Sequence, residues 1–141
     1  VMFPPTLTIF GPALADIEVL NGQVTYNANG QDLNAQVSNF ALLQLTGNYG
    51  TLNGVTKNTS SLNADGASVR SSIVTLEPGS SMYLGNIDTL TATVPTTCPF
   101  NTLAELGVHN VNADTISYNG ATVPATSRDD SCARINIGEV E

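Results

Sequence analysis

The stretch Ile17-Glu18-Val19-Leu20-Asn21-Gly22-Gln23-Val24-Thr25-Tyr26 decides how the chain is read. It sets two short apolar-polar alternations on either side of Asn-Gly, the dipeptide that best tolerates positive φ at both centres of a type I′ turn. Alternation of period two marks a strand with one wet face. The stretch therefore predicts a two-residue β-hairpin, 17–20 against 23–26. A second hairpin is predicted at Ile116-Ser117-Tyr118, Asn119-Gly120, Ala121-Thr122-Val123.

Working outward, Asn-Gly recurs at Asn29-Gly30 and Asn53-Gly54, and Asp65-Gly66 and Pro78-Gly79 add two further turns. Between them, strands are expected at 33–40, 42–46, 68–76, 81–84 and 87–94. In Thr89-Leu90-Thr91-Ala92-Thr93-Val94 the residues Leu90, Ala92 and Val94 share one face and the threonines the other. Helix signal is confined to Thr102-Leu103-Ala104-Glu105-Leu106, where Thr102 and Glu105 fit a capping box and Gly107 a stop, so one short helical turn is expected near 102–106.

Short strands punctuated by turns predict an all-β fold, a hairpin-rich β-sandwich or jelly-roll-like domain. The competing architecture is a β-solenoid. Leu-Asn recurs at Leu20-Asn21, Leu33-Asn34, Leu52-Asn53 and Leu62-Asn63, with Val111-Asn112 alike, and repeated apolar-Asn steps can mark solenoid corners. Their irregular spacing weighs against it. The expected organisation is an extended N-terminal arm, 1–12, followed by a single β domain, 13–141.

Composition narrows the function. A chain of 141 residues with 41% hydrophobic and 11% charged residues has the material for one core and too little charge for a disordered polyelectrolyte. Its net charge of -8 repels phosphate backbones, and Lys57, Arg70, Arg128 and Arg134 are scattered, so no nucleic-acid partner is expected. The longest apolar runs, such as Phe40-Ala41-Leu42-Leu43, fall far short of the about 20 residues of a membrane-spanning helix. No transmembrane segment is expected.

Cys98 and Cys132 can form one disulfide, which would stabilise the fold by roughly 3 to 4 kcal/mol; the alternative is two buried free thiols. With little lysine and much Asn, Thr, Ser and Gly, the pair points to an extracellular, cell-surface or virus-particle setting. Asn58-Thr59-Ser60 matches the glycosylation acceptor pattern and places Asn58 on an exposed loop.

No constellation carries chemistry. His109 is the single histidine and no nucleophile elbow accompanies it. One histidine and two distant cysteines make no zinc group. The carboxylates Asp16, Glu18, Asp32, Asp65, Glu77, Asp88, Glu105, Asp114, Asp129 and Asp130 single out no glycosidase pair. Ser61-Leu62-Asn63-Ala64-Asp65-Gly66 imitates the opening of a calcium loop, yet Ser61, Asn63 and Ser72 stand where acids are required. No catalytic residue, metal or cofactor is expected, and the chain reads as a non-enzyme.

The positive feature is the arm. Pro4, Pro5 and Pro12 keep it out of a central ladder, while Thr6 to Phe10 can pair along an edge of its own domain or of a neighbouring copy. The leading expectation is a structural subunit that self-assembles into an extracellular filament or appendage, or a virus particle. The arm would add as a strand to the neighbouring subunit, with Phe3, Leu7, Ile9 and Phe10 at the interface. The alternative is a carbohydrate-binding or adhesin module, its partner a glycan, using Tyr26, Tyr49, Tyr83 or Tyr118 as stacking faces.

Overall fold

The computed structural model describes residues 6–10, 16–99 and 102–138, and in it the 17–26 stretch does not fold back on itself. Strand β2 (Asp16–Val19) lies parallel to the end of β3 (Gln23–Val37), with Asp16 beside Asn34 and Val19 beside Val37. Leu20 to Gly22 is a corner that leads the chain into its next coil, with Gly22 at φ 87. The first expected hairpin is therefore corrected. Asn-Gly supplied a positive φ, but the strand it released found its partner 18 residues on.

The same step repeats. Strands β4 (Leu42–Thr56), β5 (Ser61–Leu76) and β6 (Ser81–Thr93) each lie parallel on the strand before. Asn34 and Asn53 face one another 19 residues apart, Ser61 and Ser81 at 20. Strand β1 (Thr6–Phe10) lies parallel on the first part of β3, so β1 and β2 together make the first coil. Strand β7 (Ala104–Val111) covers the first part of β6, and β8 (Thr115–Tyr118) covers its second part. From β1 to β8 every pairing is parallel, a stack of like coils where a sandwich would pair its strands antiparallel, and the solenoid, the competing architecture, is the one the structure shows.

Each coil carries two alternating runs. In β4, Leu43 and Leu45 point inward, the pattern breaks around the corner, and Leu52, Gly54 and Thr56 point inward again. The two runs face each other: a Cβ on Gly54 would lie 3.2 Å from Met82 Cε and 3.5 Å from Leu62 Cδ1, both on the opposite layer. Asn53-Gly54 is thus interior strand, where a small residue lets long side chains cross. Stacking turns the inward positions into columns, of which Leu43, Leu62, Met82, Leu106 and Ile135 form one. All five are fully or almost fully buried, each contributing about 2 kcal/mol by removal from water.

At the corner between coils the chain enters the left-handed region twice in succession, at Asn39 and Phe40 (φ 57 and 63) and again at Asn58 and Thr59 (φ 51 and 59). Asn accepts this at little cost, whereas Phe40 and Thr59 are strained by about 1 kcal/mol or more. Buried serines inside the corner offset the strain. Ser60 Oγ donates to Val37 O at 2.7 Å and accepts from Lys57 N at 3.0 Å, and one coil on, Ser80 Oγ donates to Glu77 O at 2.7 Å. Outside, amides run in short ladders: Asn53 donates to Asn34 (2.9 Å) and Asn34 to Asp16 (3.0 Å), while Asn58 donates to Asn39 at 3.3 Å.

The last coil departs from the repeat. β8 turns through Asn119 and Gly120, at φ 50 and 84, into antiparallel β9 (Ala121–Pro124), the second expected hairpin. β10 (Arg128–Asp129) then runs antiparallel to β11 (Ala133–Ile137), which is parallel to β7. The helical turn expected near 102–106 is corrected to loop and strand. Ala104, Leu106 and Val108 are inward positions of β7, with ladder partners on β6 and β11, and Thr102 Oγ1 donates to Pro99 O at 2.7 Å instead of capping a helix. Cys98 and Cys132 are joined by a disulfide with their Cα atoms 5.4 Å apart. No described helix is long and apolar enough to cross a membrane.

Candidate functional site

Each coil has a corner between its two inward runs, and there the stacked positions are polar. Asn29, Asn48, Ser68, Asn86 and Asn110 follow one another up the register of β3 to β7. Two residues further along the strands come Arg70, Asp88 and Asn112. Strand alternation points these side chains outward while Val69 and Ile87 point in. The result is an open cleft of about 310 Å³, lined by Asn48, Tyr49, Ser68, Val69, Arg70, Asn86, Asp88 and Asn112.

Part of the cleft is preorganised. Asn110 Nδ2 donates to Asn112 Oδ1 at 2.8 Å, and Asn112 Nδ2 to Asp88 Oδ1 at 2.6 Å, so a chain of amides ends on a carboxylate. Asn48 Nδ2 donates to Asn29 Oδ1 at 3.0 Å. Tyr49 is buried at the floor, its hydroxyl donating to Thr46 O at 2.9 Å. The side chains of Ser68, Arg70 and Asn86 have no hydrogen-bond or ion-pair partner among the described residues. The other three bases are engaged: Lys57 is 4.0 Å from Glu77, Arg134 is 3.4 Å from Asp129, and the Arg128 guanidinium sits 4.4 Å from the Tyr118 ring centre.

Beside the cleft, the stretch read as an imperfect calcium loop is a bulge in β5. Asp65 to Ala67 oppose the single residue Gly85 of β6, with Ala64 paired to Leu84 and Ser68 to Asn86. Asn63 Oδ1 accepts from Asp65 N at 3.0 Å, so Asn63 serves the turn. The bulge carries the Asp65 carboxylate past β6 to His109 on β7, and the two pair. Among the described residues no three His, Cys, Asp or Glu side chains come together as a metal group.

Sequence-expected residues are dispersed. Phe3 lies outside the described residues; Leu7, Ile9 and Phe10 lie in β1, paired with β3 of the same chain. Asn58 is exposed at a corner between coils, with Asn39 as its amide partner. Of the four tyrosines, Tyr26, Tyr49 and Tyr118 are buried and offer no open stacking face, while Tyr83 is half-buried and its hydroxyl is 3.5 Å from Glu105. Tyr118 donates to Asp130 Oδ2 at 2.7 Å. Burial, then this bond to a carboxylate, push its phenol up to about 12. The bond from Tyr118, with one from the Ser131 backbone, holds Asp130 below the usual carboxylate range.

The sequence does not display the cleft, because its members lie far apart along the chain. The 19-residue step between Asn29 and Asn48 was the available signal. The chain matches no protein-family model, and no curated protein or solved structure is significantly similar to it. Its class is architectural: a parallel β-solenoid closed by a disulfide-linked last coil.

Proposed function

We propose that this chain is a non-catalytic structural subunit that joins copies of itself, as a unit of an extracellular filament or appendage or of a virus particle. The supporting observation is the difference between the two ends of the stack. At the C-terminal end, β9 and β10 run against the direction of the coils and interrupt the parallel repeat, as a terminal cap does. At the other end the strand order stops at β1, whose outer edge has no partner among the described residues. Such an edge presents a row of main-chain donors and acceptors ready for another strand.

The arm thus serves its own chain first, and its free edge is what a neighbour would use. A neighbouring copy that lays a strand along this edge would satisfy it by strand addition. The adjacent acids Asp16 and Glu18, exposed on β2, and the net charge of -8 oppose that approach, so association should strengthen as salt rises.

Sedimentation of the parent chain over a range of concentrations, beside a chain lacking residues 1–12 and a Thr6→Glu/Thr8→Glu variant, tests this. The parent is expected to associate and more so at high salt; the truncated chain should remain a folded monomer. The double glutamate, which adds charge to β1 without removing it, should weaken association by more than about tenfold. A parent that stays monomeric, or a double glutamate that associates unchanged, contradicts the proposal.

A further inference from the structure

The corner cleft has a chemical signature of its own, and it does not rest on the assembly reading, because its lining comes from β4, β5, β6 and Asn112 just after β7. It combines donors without acceptors (Arg70), an acceptor without donors (Asp88), and groups that do both (Asn48, Ser68, Asn86, Asn112). A phosphate or sulfate would be served by donors alone and would meet Asp88 and the surrounding negative field. A metal cation would be served by oxygens alone and would meet the Arg70 guanidinium. Hydroxyl groups both donate and accept, and they carry no charge to be repelled.

We infer that the cleft binds a neutral linear oligosaccharide laid along the solenoid axis. Asn48, Ser68 and Asn86 stand on three successive coils in one register, so equivalent polar groups recur every about 4.8 Å. That interval is comparable to the advance of one sugar unit in an extended chain, so each unit meets a like group. Among the described residues, Ser68, Arg70 and Asn86 have no side-chain bond that a ligand would have to break. The Asn110, Asn112 and Asp88 relay fixes the orientation of the amide and carboxylate at the far end. Val69 and the sealed Tyr49 give an apolar floor but no stacking platform, so hydrogen bonds carry recognition and affinity falls in about the millimolar range.

The test is a titration of the isotope-labelled chain with cellohexaose, maltohexaose and chitohexaose, followed by amide resonances, with inorganic phosphate and calcium chloride as comparison probes. At least one hexasaccharide should shift the resonances of 48, 68, 70, 86 and 112 together, while phosphate and calcium leave them in place. Arg70→Ala and Asn86→Ala, both at exposed positions, should each weaken binding by about tenfold with unchanged melting. Three outcomes overturn the inference: no hexasaccharide moves these resonances up to its solubility limit, phosphate or calcium moves them instead, or both variants bind as the parent does.

Discussion

Replacing Gly85 with alanine is expected to destabilise the fold by about 3 kcal/mol, the upper part of the range for overpacking a filled interior. The β5 bulge overhangs this residue so closely that a Cβ would lie 2.4 Å from both Asp65 O and Ala67 O. Both atoms are backbone, and neither can swing aside as a side chain tip would. Relief requires flattening the bulge, which also withdraws Asp65 from His109. The control is Gly66→Ala on the bulge itself, where the nearest atom to an added Cβ is Thr46 Cγ2 at 3.8 Å, and a change within about 0.5 kcal/mol is expected. Urea midpoints of the two variants check this. A Gly85→Ala midpoint equal to that of Gly66→Ala would show that the bulge does not sit over β6 as described.

Converting Cys98 and Cys132 to serine is expected to lower stability by about 4 kcal/mol, the chain-entropy value for the loop between residues 34 apart. The loss should be unevenly felt. The disulfide ties the loop after β6 to the start of β11, beside the bond from Ala104 N to Cys132 O at 3.0 Å. It therefore holds the one coil whose repeat is broken by a hairpin. In a stack whose coils contact only their neighbours, amide exchange should accelerate most in β7 and β11 and least in β4 and β5. Uniform acceleration through every coil would contradict that localisation.

What could be read in the sequence follows the range of each interaction. Asn119-Gly120 was legible because a two-residue turn fixes its own register, with Tyr118 beside Ala121. Asn21-Gly22 carries the same local chemistry, yet the choice between hairpin and corner was made by β3's second run, which no local pattern contains. The Leu-Asn steps were half a signal: Leu33-Asn34 and Leu52-Asn53 do stack, whereas Leu20-Asn21 lies in a corner and Leu62-Asn63 in a different run. The β5 bulge and the loop before β7 vary the coil length, from 18 at Ser68 and Asn86 to 24 at Asp88 and Asn112, and so blur the period. The capping box at Thr102 and Glu105 lost to strand pairing on both sides of β7. The cleft was illegible for the same reason as the fold, since only stacking brings Asn48, Arg70, Asn86 and Asn112 together.

The parallel coil register is the central claim, and spin-label distances between Gln36 and each of Val55, Thr75 and Thr93 test it most directly, with cysteine labels introduced pairwise. These four residues follow one another in register on β3, β4, β5 and β6. Backbone separations of about 5, 10 and 14 Å, growing by one strand spacing per coil, are the expected result. Separations that do not grow in that order, or a Gln36 to Val55 pair as far apart as Gln36 to Thr93, would contradict a parallel solenoid.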